Sequence, residues 1–456
     1  MTYAARAGEG LIEPSLDDVR HIPGEDGWPV IGLTFRLLAD PKAEVARLAA
    51  RHGLVYRSRA FGLRNINLLG PEGNEFVLFD RQKTFSSGEG WGPFLGRLFP
   101  RGLMLLDFDE HRLHRKALSV AFKVEPLRAY LDGLNAGLAR GVAAWLARPG
   151  PMLFYPAIKQ LTLDLAATAF FGRDLGRDGE PLKRAFIAMV AAVVTPIRAA
   201  LPGTAMGRGV SGRRFMVEFL GREIEARRHR DGDDLFTHLC KASTDEGRLL
   251  SAEEIIDHMS FLMMAAHDTL TSSFTSFVWF LCENPAWQTR LREEIAALGL
   301  PRGAPLAHER LDDLPLTEMA FKEALRLIPP VPAIPRRAVR ETEFRGFRIP
   351  AGARVSVNPV FTHHMPEIWP EPEKFDPLRF SEANARGRHK FAFVPYGGGA
   401  HMCLGLHFAY MQAKCFAYHL LGAAEAVVEP GYRPDWRLWP IPKPRDGLPL
   451  TLRAMG

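Results

Sequence analysis

Cysteine is scarce in this chain of 456 residues. The four thiols are Cys240, Cys282, Cys403 and Cys415, and no two of them form a CxxC pair. So few and so widely spaced cysteines argue against a disulfide-stapled secreted scaffold. The composition therefore predicts a protein of the reducing cytoplasm.

Long apolar runs are also missing. The first twenty residues, MTYAARAGEGLIEPSLDDVR, include acids and no apolar core, so we expect neither a signal peptide nor a membrane anchor. The most apolar window, FLMMAAHDTLTSSFTSFVWFLC (261–282), has His267, Asp268 and several hydroxyl groups near its centre. Polar groups at that depth favour a helix buried inside protein over one that crosses a bilayer.

Internal repeats, low-complexity segments and Gly/Ser linkers are absent, so we expect one domain over residues 1–456. The net charge of +6 and the pI near 9.2 raise the question of nucleic-acid binding. The lysines and arginines are scattered, however, with no basic stripe and no interleaved aromatic residues, so no nucleic-acid partner is expected. A basic face for an acidic protein partner fits the charge better.

Helical patterns dominate what is present. The segment 40–53, DPKAEVARLAARHG, has an Asp cap, an early Pro and a terminal Gly. The segment 251–284 opens with a capping box from Ser251 to Glu254 and then runs without Gly or Pro. Its apolar residues surround most of the helix, which indicates an interior position. Strand patterns are short, so the sequence predicts a mainly α fold with a small β portion around one long central helix.

The stretch FVPYGGGAHMCLGLHFAYMQAKCF (393–416) places Cys403 behind three glycines, where a helical pattern begins. A thiolate is an electron-rich ligand, and a helix N-terminus favours its charged form. The glycines at 397–399 and 405 remove side chains that would block a flat ligand, and nearby backbone N–H groups would tune the sulfur. A haem with Cys403 on its iron satisfies these features. A helix-capping loop with an inert cysteine is the alternative, and a phosphate loop is disfavoured because no Lys-Ser/Thr follows the glycines.

This stretch resembles the haem-binding loop of the cytochrome P-450 superfamily, in which an aromatic residue, glycines, a basic residue, the cysteine and a glycine follow in this order. The resemblance implies the cytochrome P-450 fold, with haem b between the long central helix and the Cys-loop helix, and with the Cys403 thiolate on the iron. Tyr396 stands where the family usually has Phe. His401, the implied donor to a haem propionate, stands where Arg is more frequent. Both replacements are of like kind and leave the ligand assignment intact.

Two distant segments match the part of the family that lies on the thiolate side of the haem. FKEALRLIPP contains Glu323 and Arg326, three residues apart on a helix and so neighbours, and PEPEKFDPLRF supplies Arg379. In the family such residues form a buried ion network. The resemblance therefore implies a structural role for these three side chains.

Other matches concern the haem propionates. In DFDEHRLHRKALSVAF, His111 and Arg115 share one helix face, and the resemblance implies that both donate to propionates, as does Arg336 after the proline run. Arg337 is the alternative to Arg336. A solvated basic helix is the other interpretation of His111 and Arg115.

The segment AAHDT (265–269) resembles the family's oxygen-activation motif, with Ala266 where Gly is common. We expect the Thr269 hydroxyl to turn back to the carbonyl of Ala265 and to open a polar notch in the helix. Asp268 and Thr269 are then the implied catalytic pair, which relays protons. An ordinary buried Thr beside a solvent-facing Asp is the alternative.

The resemblance runs from HIPGEDGWPVIG (21–32) to PRDGLPL near the end, and it implies a haem-thiolate monooxygenase that inserts one atom of O2 into its substrate. The side chains that it places around the substrate are mostly apolar, which indicates a lipophilic small molecule. They are Trp91, Phe94, Leu98, Phe261, Leu262, Ala265, Val331 and Ile334. The segment 200–214 is similar to the lid region of sterol- and retinoid-metabolising branches and favours a steroid, terpenoid or carotenoid-like substrate.

The chain shows no flavin domain and no cysteine set for an iron–sulfur cluster, so we expect no fused reductase. The resemblance implies electrons from an external ferredoxin or flavodoxin with its reductase. The basic residues expected to steer such an acidic partner are Arg112, Lys116, Arg386, Arg388, Lys390 and Lys414. The alternatives are a non-catalytic haem sensor and a family member that rearranges its substrate or uses peroxide without reductant. The Asp268–Thr269 pair disfavours the last of these.

Overall fold

The computed structural model describes residues 11–148, 150–172, 179–193, 195, 198–244 and 247–455. Residues 1–10 lie outside this set, and the expectation about the N-terminus partly depends on them. The predicted domain 1–456 therefore includes residues that the structure does not describe. Over the described residues the architecture is mainly helical with small sheets, as predicted. None of the described helices combines the length and the apolar character needed to cross a bilayer.

Helices make up most of the described chain. Numbered in chain order, they are α1 Leu16–Val19, α2 Thr34–Ala39, α3 Pro41–His52, α4 Gly70–Phe79, α5 Ser87–Leu95, α6 Phe108–Ser119, α7 Val124–Leu146, α8 Phe154–Phe171, α9 Gly179–Val193, α10 Ala205–Gly221, α11 Ile224–His229, α12 Leu235–Lys241, α13 Ala252–Glu283, α14 Pro285–Ala296, α15 Pro315–Leu327, α16 Pro359–Thr362, α17 Glu382–Ala385 and α18 Leu406–Ala423. A short 3₁₀ turn, Pro377–Phe380, precedes α17.

The strands form one larger sheet and three small pairings. They are β1 Gly24–Glu25, β2 Val55–Ala60, β3 Leu63–Leu68, β4 Phe85–Ser86, β5 Met152–Leu153, β6 Ile334–Ala338, β7 Thr342–Phe344, β8 Phe347–Ile349, β9 Arg354–Val357, β10 Ala424–Val427, β11 Trp436–Arg437, β12 Lys443–Pro444 and β13 Pro449–Ala454. The mixed six-stranded sheet has the order β1-β2-β3-β9-β6-β4. The smaller ones are β10-β13-β5, β11-β12 and β7-β8.

Helix α13 is the long central helix that the sequence predicts. The Ser251 hydroxyl accepts from the N–H of Glu254, and the Glu254 carboxylate accepts from the N–H of Ser251, so the capping box is formed. The helix has 32 residues, about 48 Å at 1.5 Å per residue. It packs against α8, α10 and α15. Most of its side chains are buried, which explains why its sequence is apolar on nearly all sides.

Capping also fixes helix α3 as expected. The Asp40 side chain accepts from the N–H of Ala43 at 2.9 Å, Pro41 occupies the first turn, and Gly53 ends the helix with a φ of +86°. The hairpin β2–β3 follows directly and pairs its second strand with β9. The six-stranded sheet thus joins strands from residues 24–86 to strands from residues 334–357.

Candidate active site

Cys403 lies in a tight loop just before α18. Gly397 and Gly399 have φ values of +69° and +61°, in the left-handed region that glycine adopts readily. A β carbon on Gly399 would collide with the carbonyl oxygen of Leu78 on α4. The N–H of Cys403 donates to the carbonyl oxygen of Tyr396 at 2.9 Å. The glycines are therefore required for the loop to lie against α4 and to hold the cysteine at its end.

The sulfur of Cys403 differs from the other three in its surroundings. Cys403 is exposed, whereas Cys240, Cys282 and Cys415 are buried. Burial among the surrounding residues raises the pKa of the Cys403 thiol, while the N–H of Gly405 and the Arg115 guanidinium act to lower it. A cysteine that keeps exposed surface, with a backbone donor and a cation near its sulfur, fits a thiolate ligand.

Cys415 is the natural comparison because it lies on the same helix, α18. It is fully buried, and its Sγ donates to Oδ1 of Asn135 at 3.3 Å. Burial raises the pKa of the Cys415 thiol. This cysteine has the surroundings of a core residue and not those of an iron ligand.

The four residues expected to bind the propionates come together beside the loop. The rings of His111 and His401 lie with their centroids 3.9 Å apart. Burial holds the pKa of His401 well below its usual value, and Arg336, His111 and Arg115 lower it further. Burial and the same two arginines lower the pKa of His111 to about 4. Among the described residues no carboxylate forms a salt bridge with Arg115 or Arg336. Asp107 and Asp80 act on the charge of Arg336, and no carboxylate is a recorded influence on Arg115. The two carboxylates of a haem fit this cluster because they would add acceptors for its charged donors.

The structure separates Arg336 from its alternative, Arg337. Nη1 of Arg337 donates to the Glu89 carboxylate at 2.9 Å, and its Nε donates to the carbonyl oxygen of Gly352 at 3.0 Å. Arg336 is 5% exposed, and burial lowers its pKa to about 10. Arg337 therefore already has an acidic partner, whereas Arg336 is the arginine that lies near His111 and His401.

Glu323, Arg326 and Arg379 meet as the resemblance implies. Nε and Nη2 of Arg326 donate to the two carboxylate oxygens of Glu323 at 2.7 and 2.8 Å, and Nε of Arg379 lies 3.3 Å from Glu323 Oε1. The side chains of the first two are fully buried. Arg326 also donates from Nη1 to the carbonyl oxygens of His363 and Pro372 at 2.8 and 2.7 Å. The guanidinium therefore joins the ion pair to the backbone of a distant segment.

His363 was missed from the sequence. Its carbonyl accepts from Arg326, and its ring Nε2 accepts from the N–H of Val394 at 2.9 Å, immediately before the cysteine loop. Burial holds the pKa of His363 well below its usual value, which keeps the ring neutral and able to accept. The ion network is thus connected to the cysteine loop through one residue. The sequence signal for this role is weak: it is the pair of histidines in NPVFTHHMPEIWP.

The oxygen-activation segment of α13 has the expected local geometry. The Thr269 hydroxyl donates to the carbonyl oxygen of Ala265 at 2.7 Å. The helix is buried on either side, yet Met264, Ala265, Ala266, Asp268 and Thr269 are only half-buried. This short section of the central helix therefore keeps some accessible surface where the helix is otherwise packed.

Asp268 has partners that the sequence did not reveal. Lys159 of α8 donates from Nζ to Asp268 Oδ1 at 3.0 Å, and Nδ1 of His267 lies 3.2 Å from the same oxygen. Burial alone would raise the pKa of Asp268, but His267 and Lys159 together lower it to about 2. The side chain is 13% exposed and paired with Lys159, so most of it is buried and a small part still reaches solvent.

The predicted pocket residues fall into two groups. Trp91, Phe94, Ala265 and Val331 are half-buried, while Leu98, Phe261, Leu262 and Ile334 are buried. Leu98 lies against α10, where a β carbon on Gly209 would be 3.3 Å from Leu98 Cδ2. The half-buried side chains are the ones that keep accessible surface.

The predicted basic docking surface needs a correction. Arg112 is 83% exposed and Arg386 80% exposed. Lys414, however, is 8% exposed and pairs with Glu318 at 2.6 Å. Arg388 is half-buried over the ring of Trp369. The prediction was wrong for Lys414, because its charge is buried against Glu318. For the other five residues it stays a prediction.

Three features together define a haem-thiolate protein. Cys403 ends a glycine loop just before α18, the Thr269 hydroxyl bonds back to Ala265 within α13, and a basic cluster lies beside the thiol. The family described as Cytochrome P450 matches residues 22–434. The putative cytochrome P450 136 of Mycobacterium tuberculosis is 36% identical over 96% of this chain and 90% of its own length. The taxane 10-beta-hydroxylase of Taxus cuspidata is 27% identical over 88% of this chain and 82% of its own.

Solved structures give the same result. Retinoic acid bound cyanobacterial CYP120A1 superimposes with a TM-score of 0.84 and 30% identity, over 95% of this chain and 99% of its own. The chain therefore belongs to the cytochrome P450 family. It is a haem-dependent oxidoreductase of the monooxygenase type, with haem b held by a cysteine thiolate.

Proposed function

We propose that this enzyme hydroxylates an isoprenoid-like lipophile in the cytoplasm, with Cys403 as its iron ligand and an external ferredoxin or flavodoxin, with its reductase, as its electron source. The observation that carries the proposal is the basic cluster of His111, Arg115, Arg336 and His401 beside Cys403. Among the described residues no carboxylate forms a salt bridge with Arg115 or Arg336, although Asp107 and Asp80 are near enough to act on the charge of Arg336; a haem would supply two carboxylates more.

A haem held by Cys403 would supply the activation of O2, in which two electrons and two protons are consumed, one oxygen atom goes to a C–H bond of the substrate and the other to water. Cys403 Sγ would hold the iron, and the Gly405 N–H would offset the charge on that sulfur. Arg115 and Arg336 would bind the propionates as charge-assisted donors. His363, through Val394, holds the start of the cysteine loop in place.

Protons would reach the site along α13. The Thr269 hydroxyl donates to the Ala265 carbonyl, which leaves its lone pairs free to accept from a water molecule. With a pKa of about 2, the Asp268 carboxylate is ionised at neutral pH, so a proton taken up at Oδ1 is readily passed on. Lys159, one-third exposed, links this carboxylate to the outside of the helix layer.

The substrate class follows from the half-buried apolar side chains and from the relatives. Trp91, Phe94, Ala265 and Val331 present apolar surface, which favours a lipophilic ligand. A similar structure holds retinoic acid, and a similar enzyme is named for a taxane; both ligands are isoprenoids. A retinoid or diterpenoid is accordingly the first ligand to test.

The direct test is turnover of a retinoid and diterpenoid panel with NADPH, a surrogate ferredoxin and its reductase. We expect NADPH consumption that depends on substrate and yields a product with one added oxygen atom from ¹⁸O2. Product formed equally well without reductant would instead identify an isomerase or peroxide-dependent enzyme. Haem binding without any product over the panel would favour a sensor.

Thr269→Ala should separate proton delivery from binding. The variant is expected to keep haem and substrate affinity, while the share of NADPH electrons recovered in product falls by about ten-fold or more and peroxide rises. Peroxide and product are measured together against NADPH. Thr275→Ala is the matched control, because its hydroxyl makes the same backward bond, to Thr271 at 2.7 Å, deeper in the core. Equal coupling in the two variants would refute the role of Thr269.

A further inference from the structure

Two buried histidines connect the central helix α13 to α6. Nε2 of His258 lies 3.0 Å from Nδ1 of His114, and the centroids of the two rings are 5.0 Å apart. The other ring nitrogen of His114, Nε2, lies 3.6 Å from Oε1 of Glu254, which is one turn before His258 on α13. His114 is 2% exposed and His258 is 1% exposed. A carboxylate and two imidazole rings therefore form one continuous chain in the interior.

The order of the three groups assigns the ring protons. Burial alone would raise the pKa of Glu254, but its bonds to Arg248 and to the N–H of Ser251 help to lower it to about 2, so the carboxylate is ionised and accepts. Nε2 of His114 then carries the proton that faces Glu254, and its Nδ1 accepts from the Nε2–H of His258. Burial lowers the pKa of His114, and it lowers that of His258 to about 3, so both rings are neutral at pH 7.

The histidine of α6 stands between the two residues of that helix that belong to the basic cluster. His111 comes three residues before His114, and Arg115 comes one residue after it. Because a helical turn takes 3.6 residues, a side chain fixed at His114 also fixes the rotation of α6 about its own axis. The ion pairs of Asp109 and Glu110 lie in the first turn of α6, whereas His114 lies in its second half. The bond from His258 thus acts on the part of α6 that carries Arg115.

We infer that His258 is a positioning residue for the cofactor: through its bond to His114 it fixes the rotation of α6 and so keeps His111 and Arg115 in place to bind the haem propionates. The inference rests on the proposed function, which gives these two residues their propionate role. Without the bond, Nδ1 of His114 becomes a buried acceptor that has lost its donor, and α6 gains free energy by turning that ring toward water. The propionate donors then spend less time in place, and haem leaves faster.

The test is the rate of haem transfer from the haem-loaded protein to an excess of haem-free myoglobin, followed in the Soret band. His258→Leu has a side chain of similar size that donates nothing, and we expect it to speed transfer about ten-fold. His258→Gln should restore the parent rate, because its amide can donate to His114 in place of the ring. Among the described residues Nδ1 of His258 has no hydrogen-bond partner, so the glutamine gives up no second bond.

His419→Leu is the matched control. His419 is a buried histidine of α18, and its ring bonds to Oδ1 of Asn135 on α7 at 2.9 Å. Asn135 Oδ1 keeps two other donors, the N–H of Leu306 and the Cys415 thiol, so this variant should transfer haem at the parent rate. Parent-like transfer in His258→Leu would overturn the inference, and so would transfer in His258→Gln that is as fast as in His258→Leu.

A double-mutant cycle shows whether the two histidines act through one contact. His114→Leu should also speed haem transfer, and the variant that carries both His114→Leu and His258→Leu should transfer haem no faster than either single variant. The reason is that the bond is already lost after the first replacement, and the second leaves no unpaired ring. Two accelerations that multiply in the double variant would contradict a shared contact and overturn the inference.

Hydrogen exchange on the haem-loaded protein gives a result that does not depend on which residues bind the propionates. In His258→Leu, exchange should quicken in residues 108–119 and not in α18, and unchanged exchange over 108–119 would overturn the inference. Arg115→Ala tests the proposed function separately, because a lost propionate donor should speed haem transfer. Transfer at the parent rate in Arg115→Ala would refute the propionate role and leave the exchange comparison as it stands.

Discussion

Replacing Cys403 by Ser should remove the red-shifted Soret band that carbon monoxide gives with the reduced parent protein, and substrate hydroxylation should fall to background. The reason is electronic: a thiolate pushes electron density onto the iron and favours O–O cleavage, and a serine hydroxyl does so far less well. The measurement is the difference spectrum of reduced protein with and without carbon monoxide, at matched haem content.

Cys415→Ser supplies the control from the same helix. Because the Cys415 sulfur is buried and donates to Asn135, a hydroxyl in its place should keep the parent spectrum at a small cost in stability. A parent-like band in Cys403→Ser, or its loss in Cys415→Ser, would contradict the ligand assignment. The pair of variants therefore tests the position of the ligand and not merely the presence of haem.

The sequence predicted those parts of the site that depend on local geometry. Thr269 and Ala265 are one helical turn apart, so the bond between them follows from helix geometry alone. Glu323 and Arg326 are neighbours for the same reason. Ser251 and Glu254 fixed the start of the central helix by a short-range cap. Each of these predictions needed only residues within four positions of one another.

What the sequence could not predict depends on contacts between distant elements. Lys159 pairs with Asp268 across the packing of α8 on α13, and nothing near either residue indicates the partner. His363 and Val394 meet in the same way. Lys414 was misassigned because a lysine on an apolar helix was taken as exposed, whereas Glu318 on α15 neutralises it inside the fold. Charge in the sequence shows that a partner is needed, and only the tertiary packing shows which one.

Arg326→Ala should have the largest effect on stability, with a loss of about 3–5 kcal/mol in the free energy of unfolding. The variant leaves the Glu323 carboxylate fully buried. Among the described residues its remaining close partners are Arg379 and the backbone N–H of Asp376, and the charge of Arg388 also acts on it. It also frees the carbonyl oxygens of His363 and Pro372. Urea unfolding followed by circular dichroism, together with retention of haem, measures the loss.

Arg310→Ala is the matched control, because Arg310 and Asp313 also form an ion pair three residues apart, but on the surface. Its loss should stay below about 1 kcal/mol. Similar losses in the two variants would show that burial of the Glu323 network contributes little, and the connection through His363 to the cysteine loop would lose its support.

The pH dependence of Arg326→Ala distinguishes a buried charge from simple loss of packing. Burial already raises the pKa of Glu323 in the parent protein, and removing Arg326 takes away the main group that opposes this. A carboxyl whose pKa is higher in the folded than in the unfolded state binds more protons when folded, so stability falls as pH rises from the unfolded pKa to the folded one. The deficit of Arg326→Ala should therefore shrink in mild acid. Glu323→Gln in the Arg326→Ala background should remove that pH dependence, since the amide cannot ionise. If the stability loss of Arg326→Ala instead stays constant with pH, the loss is due to packing.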